Sequence, residues 1–63
     1  MLAPLERDVV ARAAAGEANK VIAIELGIHV SSAAEILTRA MRKLGVEHRV
    51  HLAQLAGALG SRR

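Results

Sequence analysis

The chain has no cysteine, no phenylalanine, no tryptophan and no tyrosine among its 63 residues. Without cysteine there is no disulfide framework, no thiolate metal site and no thiol nucleophile. Without aromatic rings there is no platform on which single-stranded bases could stack. No apolar run approaches the roughly 20 residues that span a bilayer. The opening residues, Met1-Leu2-Ala3-Pro4-Leu5-Glu6-Arg7-Asp8, lack the basic start of a secretion signal. A chain of this length makes one domain at most and hides only about 60% of the surface its unfolded form exposes. At 52% hydrophobic and 24% charged residues it is too apolar for a disordered tail. The expectation is a soluble cytoplasmic domain with no membrane partner, either a very small protein or a piece of a larger one.

What the chain does have is basic charge, unevenly placed. Residues 1–36 hold Arg7, Arg12 and Lys20 against Glu6, Asp8, Glu17, Glu25 and Glu35, a balance of −2. Residues 37–63 hold Arg39, Arg42, Lys43, Arg49, Arg62 and Arg63 against Glu47 alone, a balance of +5. A basic half favours an anionic partner such as nucleic acid or a membrane surface, although a solvated helix end with an Arg-Arg tail gives the same arithmetic.

Glycine divides the rest. Gly16, Gly27, Gly45 and Gly60 each follow a periodic apolar stretch, where a glycine closing a helix belongs. Pro4 suits a first helical turn, and Glu6 favours that turn's positive end. The first helix is expected over about 4–15, with Leu5, Val9 and Ala13 on one stripe and Val10 and Ala14 beside it. Its cap would be Ala3, which has no side-chain oxygen to offer. The second is expected over about 18–26, with Ile22, Ala23 and Leu26 on one face and Val21, Ile24 and Ile28 on another. A third begins at Ser31 or Ser32, both good caps, and ends at Leu44. Ala33, Ile36 or Leu37, Ala40 and Leu44 face its core side. Glu35, Thr38, Arg39, Arg42 and Lys43 face outward, with Glu35 and Arg39 spaced for an ion pair. The fourth covers about 48–58, its stripe being Leu52, Leu55, Ala56 and Leu59. No strand alternation is present, so the fold class is all-α, a compact four-helix bundle. The short Gly27-Ile28-His29-Val30 connection makes helices two and three a candidate helix-turn-helix.

Other constellations give no chemistry. His48 and His51 with Glu47 have a loose metal-ligand spacing, but no acidic or cysteine cluster supports them, and solvated or capping histidines are expected. His29 reads as a polar turn residue. Ser31 and Ser32 have no histidine–carboxylate pair to activate them. No catalytic residue, no metal site and no cofactor are expected.

Several spaced motifs then resemble one family, the LuxR-type helix-turn-helix domain, also called the FixJ or GerE type. Leu2-Ala3-Pro4-Leu5-Glu6 is similar to that family's Leu-Thr-Pro-x-Glu opening. Ala14-Ala15-Gly16-Glu17-Ala18-Asn19-Lys20-Val21-Ile22-Ala23 resembles its Ala-x-Gly-x-x-Asn-Lys-x-Ile-Ala. Lys43-Leu44-Gly45-Val46 repeats its Lys-Leu-Gly-Val, and Arg49-Val50-His51-Leu52 is similar to the start of its fourth helix. The resemblance runs from Leu2 to about Ala56. It implies a domain over residues 1–60 with a basic tail at 61–63, and a DNA-binding output domain of a bacterial transcription regulator. It further implies that the third helix docks in the major groove of duplex DNA and that the fourth pairs two copies as a homodimer.

By that resemblance Asn19, Lys20, Ser32, Arg39 and Arg42 contact phosphates, and Ser31, Ala34 and Glu35 occupy base-facing positions. Val50, Ala53, Gln54 and Gly57 form the dimer face. The reading helix departs from the family's Lys-Thr-Val-Lys, with Ser31 and Ala34 standing where its lysines stand. That loss removes about two released counterions and implies weaker DNA binding than is usual in the family. Val21, Ile24 and Ile36 are also apolar where relatives are polar. A second expectation follows, in which the fold is kept and DNA reading is lost. The domain then binds another regulator through Val21, Ile24, Ile36 and Leu37 on helices two and three.

Overall fold

Pro4 opens the first helix, where its fixed φ and missing N–H cost nothing. In the computed structural model, which describes the backbone of residues 1–60 and the side chains of residues 1–54, four helices follow in order. They are α1 (Pro4–Ala14), α2 (Asn19–Leu26), α3 (Val30–Leu44) and α4 (Arg49–Gly60). Among the described residues there is no strand. Leu55, Ala56, Leu59 and Gly57 lie outside the described side chains, and Arg62 and Arg63 outside the described residues altogether. Gly60 is the last residue of α4, where it was expected to follow the helix.

Three helices end by the same device. Gly16, Gly27 and Gly45 all take positive φ, and the next N–H reaches back to a carbonyl five residues earlier. Glu17 donates to Arg12 at 3.1 Å, Ile28 to Ala23 at 2.9 Å and Val46 to Met41 at 2.9 Å. Glycine is needed here because a side chain in the left-handed region is strained. The reversal after α2 is so tight that only Gly27, Ile28 and His29 separate it from α3. Ile28 packs against the core and His29 is left extended, its carbonyl accepting the Ala33 N–H at 3.0 Å. His29 is therefore the cap, and Ser31 and Ser32 lie inside the first turn of α3. The closure length overrides the capping preference of serine.

The core is Val9, Ala13, Ile22, Ala23, Ala33, Leu37 and Leu52, with Ala40 also buried. Half of these positions are alanine, which lets the helices approach closely. α1 packs on α3 and α4, and α2 packs on α3. Leu5, expected in the core, is 41% exposed, and Leu44 is exposed as well. α1 is turned so that Glu6 faces inward instead, only 4% exposed. Past the reversal at Gly45, Val46 packs against the core in preference to Leu44.

Glu6 is held from two sides. The Ala3 N–H donates to its Oε1 at 2.9 Å, which repairs the cap that Ala3 cannot supply with its own side chain. Lys43 Nζ donates to Oε1 at 2.9 Å and to Oε2 at 3.1 Å, tying α3 to the start of α1. The Ala3 hydrogen bond and the Lys43 ammonium hold the Glu6 carboxyl below its ordinary range, and Arg39 adds to this at longer range. A depressed carboxyl stabilises the fold above the unfolded carboxylate pKa, and that contribution disappears as pH falls through the folded value. We expect the melting temperature to fall on acidification below about pH 4.5, and Glu6→Gln to flatten that fall. At neutral pH the substitution should lower Tm by roughly 5 °C, from the lost charge-assisted bonds. Circular dichroism melts of the two proteins between pH 3 and 7 check both statements.

Candidate nucleic-acid interface

α2 and α3 meet at 106° across the three-residue turn. That angle lies within the 90–120° of a helix-turn-helix, in which the second helix is presented outward by the first. Ala33, Leu37 and Ala40 bury one stripe of α3. The opposite stripe, Ser31, Glu35, Thr38, Arg39 and Arg42, is exposed, while Ser32 and Ala34 are half-buried at its edge. Ala34, Glu35, Thr38, Arg39 and Arg42 together line one shallow groove. Thr38 and Arg42 also border the next, with Met41, Gly45, Val46 and Glu47. Periodicity therefore placed this face correctly, and packing presents it as one continuous strip.

The expected Glu35–Arg39 ion pair is not among the ion pairs of the described residues, which are Arg12–Glu17, Arg12–Glu25 and Lys43–Glu6. Both side chains are solvated, where such a pair is worth little. Arg39 therefore stays unneutralised on the strip. Two other cations of the basic half are tied to partners within the fold. Lys43 is exposed, as expected, but its ammonium sits on Glu6. Arg49, the first residue of α4, donates through Nη1 to Asn19 Oδ1 at 2.6 Å and through Nη2 to the Glu17 carbonyl. Sequence periodicity could not find these pairings, because each joins residues at least 30 apart in the chain.

The start of α2 is open. Its N-cap, Ala18, makes no side-chain hydrogen bond, and its first turn holds no acidic residue. Asn19 is half-buried, and Lys20 beside it is exposed. Just before it, Glu17 and Glu25 share Arg12. The Arg12 guanidinium lies 3.9 Å from Glu17 and in direct contact with Glu25. The neighbouring Glu25 carboxyl, with partial desolvation, raises the Glu17 pKa against the pull of Arg12. This pair thus favours the fold on the acid side, opposite in sign to Glu6.

Further along α2, Val21 is 43% and Ile24 70% exposed. Val30, at the start of α3, is exposed too, a position that periodicity did not single out. Leu37, expected on the same partner surface, is only 5% exposed and belongs to the core; Ile36 is half-buried against it. The α3 stripe turns them inward, so of the four residues expected on a partner surface only Val21 and Ile24, both on α2, are exposed. On α4, Val50, Ala53 and Gln54 are exposed while Leu52 is buried. His48 and His51 stack edge-on with ring centroids 5.7 Å apart. Among the described residues no three His, Cys, Asp or Glu side chains gather as metal ligands.

A family model described as bacterial regulatory proteins, luxR family, matches residues 1–56. The chain belongs to the LuxR family. Its domain is a DNA-binding helix-turn-helix of transcription regulators, and the 106° pair of α2 and α3 is that unit. The match spans α1, α2, α3 and the first two thirds of α4, so the family's whole helix-turn-helix is present in this LuxR-type domain. No curated protein and no solved structure matches the chain. Among the described residues no single helix is long and apolar enough to cross a membrane.

Proposed function

We propose that α3 enters the major groove of duplex DNA through its exposed strip. Ser31, Ala34 and Glu35 face the bases, while Ser32, Arg39 and Arg42 meet the flanking phosphates. Asn19 and Lys20 add phosphate contacts from the open start of α2, where backbone N–H groups and the helix dipole attract an anion. The observation that carries this reading is the single exposed strip holding Arg39 and Arg42 on the outer helix of a 106° pair. Glu35 can accept from a cytosine amino group, which gives it a specific role in an otherwise weakly basic helix. Val50, Ala53, Gln54 and Gly57 pair α4 with a second copy, so the working form is a homodimer acting in the bacterial cytoplasm. No cofactor enters this function.

A second reading is supported by the exposure of Val21 and Ile24, which would suit a regulator docking on α2. Leu37 takes no part in it, being in the core. The two readings part on a pair of substitutions. With fluorescence anisotropy of a mixed-sequence duplex, Lys20→Ala should weaken binding several-fold and lower the salt slope by about one. Ile24→Gln should leave affinity within about twofold, as a surface change away from phosphate does. The reverse ranking would remove DNA as the partner of this face.

A further inference from the structure

Arg49 stands on α4, a helix that packs on α1, yet both acceptors of its guanidinium lie elsewhere. One is the Asn19 side chain at the first position of α2, and the other is the Glu17 carbonyl in the turn before it. A guanidinium has donors only, so the arm of the Asn19 amide that faces it must be the oxygen. The amide nitrogen then occupies the other arm of the planar group. Among the described residues that nitrogen has no protein acceptor, and Asn19 is followed in the chain by exposed Lys20 at a helix start with no side-chain cap. An unrestrained asparagine would present either arm, and its oxygen would repel a phosphate.

We propose that Arg49 is a positioning residue for DNA binding: by holding Asn19 Oδ1 and the Glu17 carbonyl, it fixes Asn19 with its Nδ2 donor turned to the phosphate backbone. The proposal rests on the DNA reading above and deepens it. Arg49 is held across the α1–α2 turn through Nη1 and Nη2, so its role in this proposal is to orient Asn19 rather than to meet a phosphate itself.

The test is a double-mutant cycle in DNA affinity at about 50 mM salt, where phosphate contacts are strongest. It uses a labelled mixed-sequence duplex with the wild type, Arg49→Gln, Asn19→Ala and the double variant. Each single change should cost about tenfold, the value of one charge-assisted hydrogen bond, and the double should cost no more than either. Arg49→Lys separates charge from geometry, since a lysine keeps the charge without the fork; it should bind clearly worse than the wild type. Asn19→Asp guards against unfolding. It keeps an acceptor for Arg49 and favours the helix start, so its Tm should not fall, while its DNA affinity should. Additive losses in the cycle, or wild-type binding by Arg49→Lys, would overturn the positioning role and leave Arg49 as a support of the fold or a plain charge. Absence of duplex binding by the wild-type chain would be a different failure, that of the DNA reading itself.

Discussion

Raising salt from about 50 to about 200 mM should weaken duplex binding by roughly 40-fold for one copy of this domain. The figure follows from which cations are free. On the proposed face Lys20, Arg39 and Arg42 are exposed, whereas Lys43 is held by Glu6 and Arg49 by Asn19 and the Glu17 carbonyl. Three neutralised phosphates give a slope of about −2.7 in log affinity against log salt. If Lys43 and Arg49 also reached the backbone, the slope would be about −4.5 and the loss several hundred-fold. Two copies joined through α4 double the free cations, which makes the slope about −5.4 and the loss on the order of a thousandfold. Anisotropy titrations at four or so salt concentrations therefore count phosphate contacts and copies together. A chain ending at residue 60 isolates the three cations from Arg62 and Arg63. A slope near zero, from a folded and helical sample, would mean that no phosphate footprint exists.

Ile22→Ala should take a third or more of the stability of the domain. Ile22 is fully buried, and the other large side chains with which it fills the core are Val9, Leu37 and Leu52. Truncating it removes about 3 kcal/mol, part as lost transfer energy and part as a cavity. Closely packed alanines have no flexible side chains with which to fill that cavity. A domain of this size has only about 3–9 kcal/mol in all. The expected fall in Tm is about 12–24 °C, read by circular dichroism or calorimetry. Ile24→Ala, two residues away and 70% exposed, should change stability by no more than about 0.5 kcal/mol. Equal effects at the two positions would mean that the face of α2 has been assigned wrongly.

Much of the fold was legible because local rules govern it. Three of the four glycine endings stand where periodicity placed them, since a left-handed residue at a helix end is a matter of one backbone dihedral. The exposed strip of α3 follows from a 3.6-residue repeat and needs no tertiary information. The start of α3 was misplaced, because the number of residues needed to reverse the chain after Gly27 outweighs the capping chemistry of Ser31 and Ser32. Leu5 and Leu44 were misplaced for another reason. An apolar residue at the edge of a stripe goes in or out according to how its helix is rotated, and that rotation is set by the partner helix.

The residues of the candidate interface divide the same way. Val21 and Ile24 were recognisable as exposed apolar residues because they fall on the face opposite Ile22 and Ala23. Leu37 could be assigned to the core or to a partner surface by spacing alone, and packing against α1 and α2 put it in the core. Counting basic residues could not tell an open cation from one held by partners within the fold.

The sequence by itself determined four helices, the glycine closures of the first three, the outward strip of α3 and membership of the LuxR family. Each depends on near neighbours or on ordered short motifs. Tertiary structure alone decided that Glu6 turns inward to Lys43, that Arg49 reaches Asn19 across 30 residues of chain, and therefore which cations remain to meet DNA. Those outcomes depend on which helix faces come together, and a one-dimensional repeat holds no record of its partner.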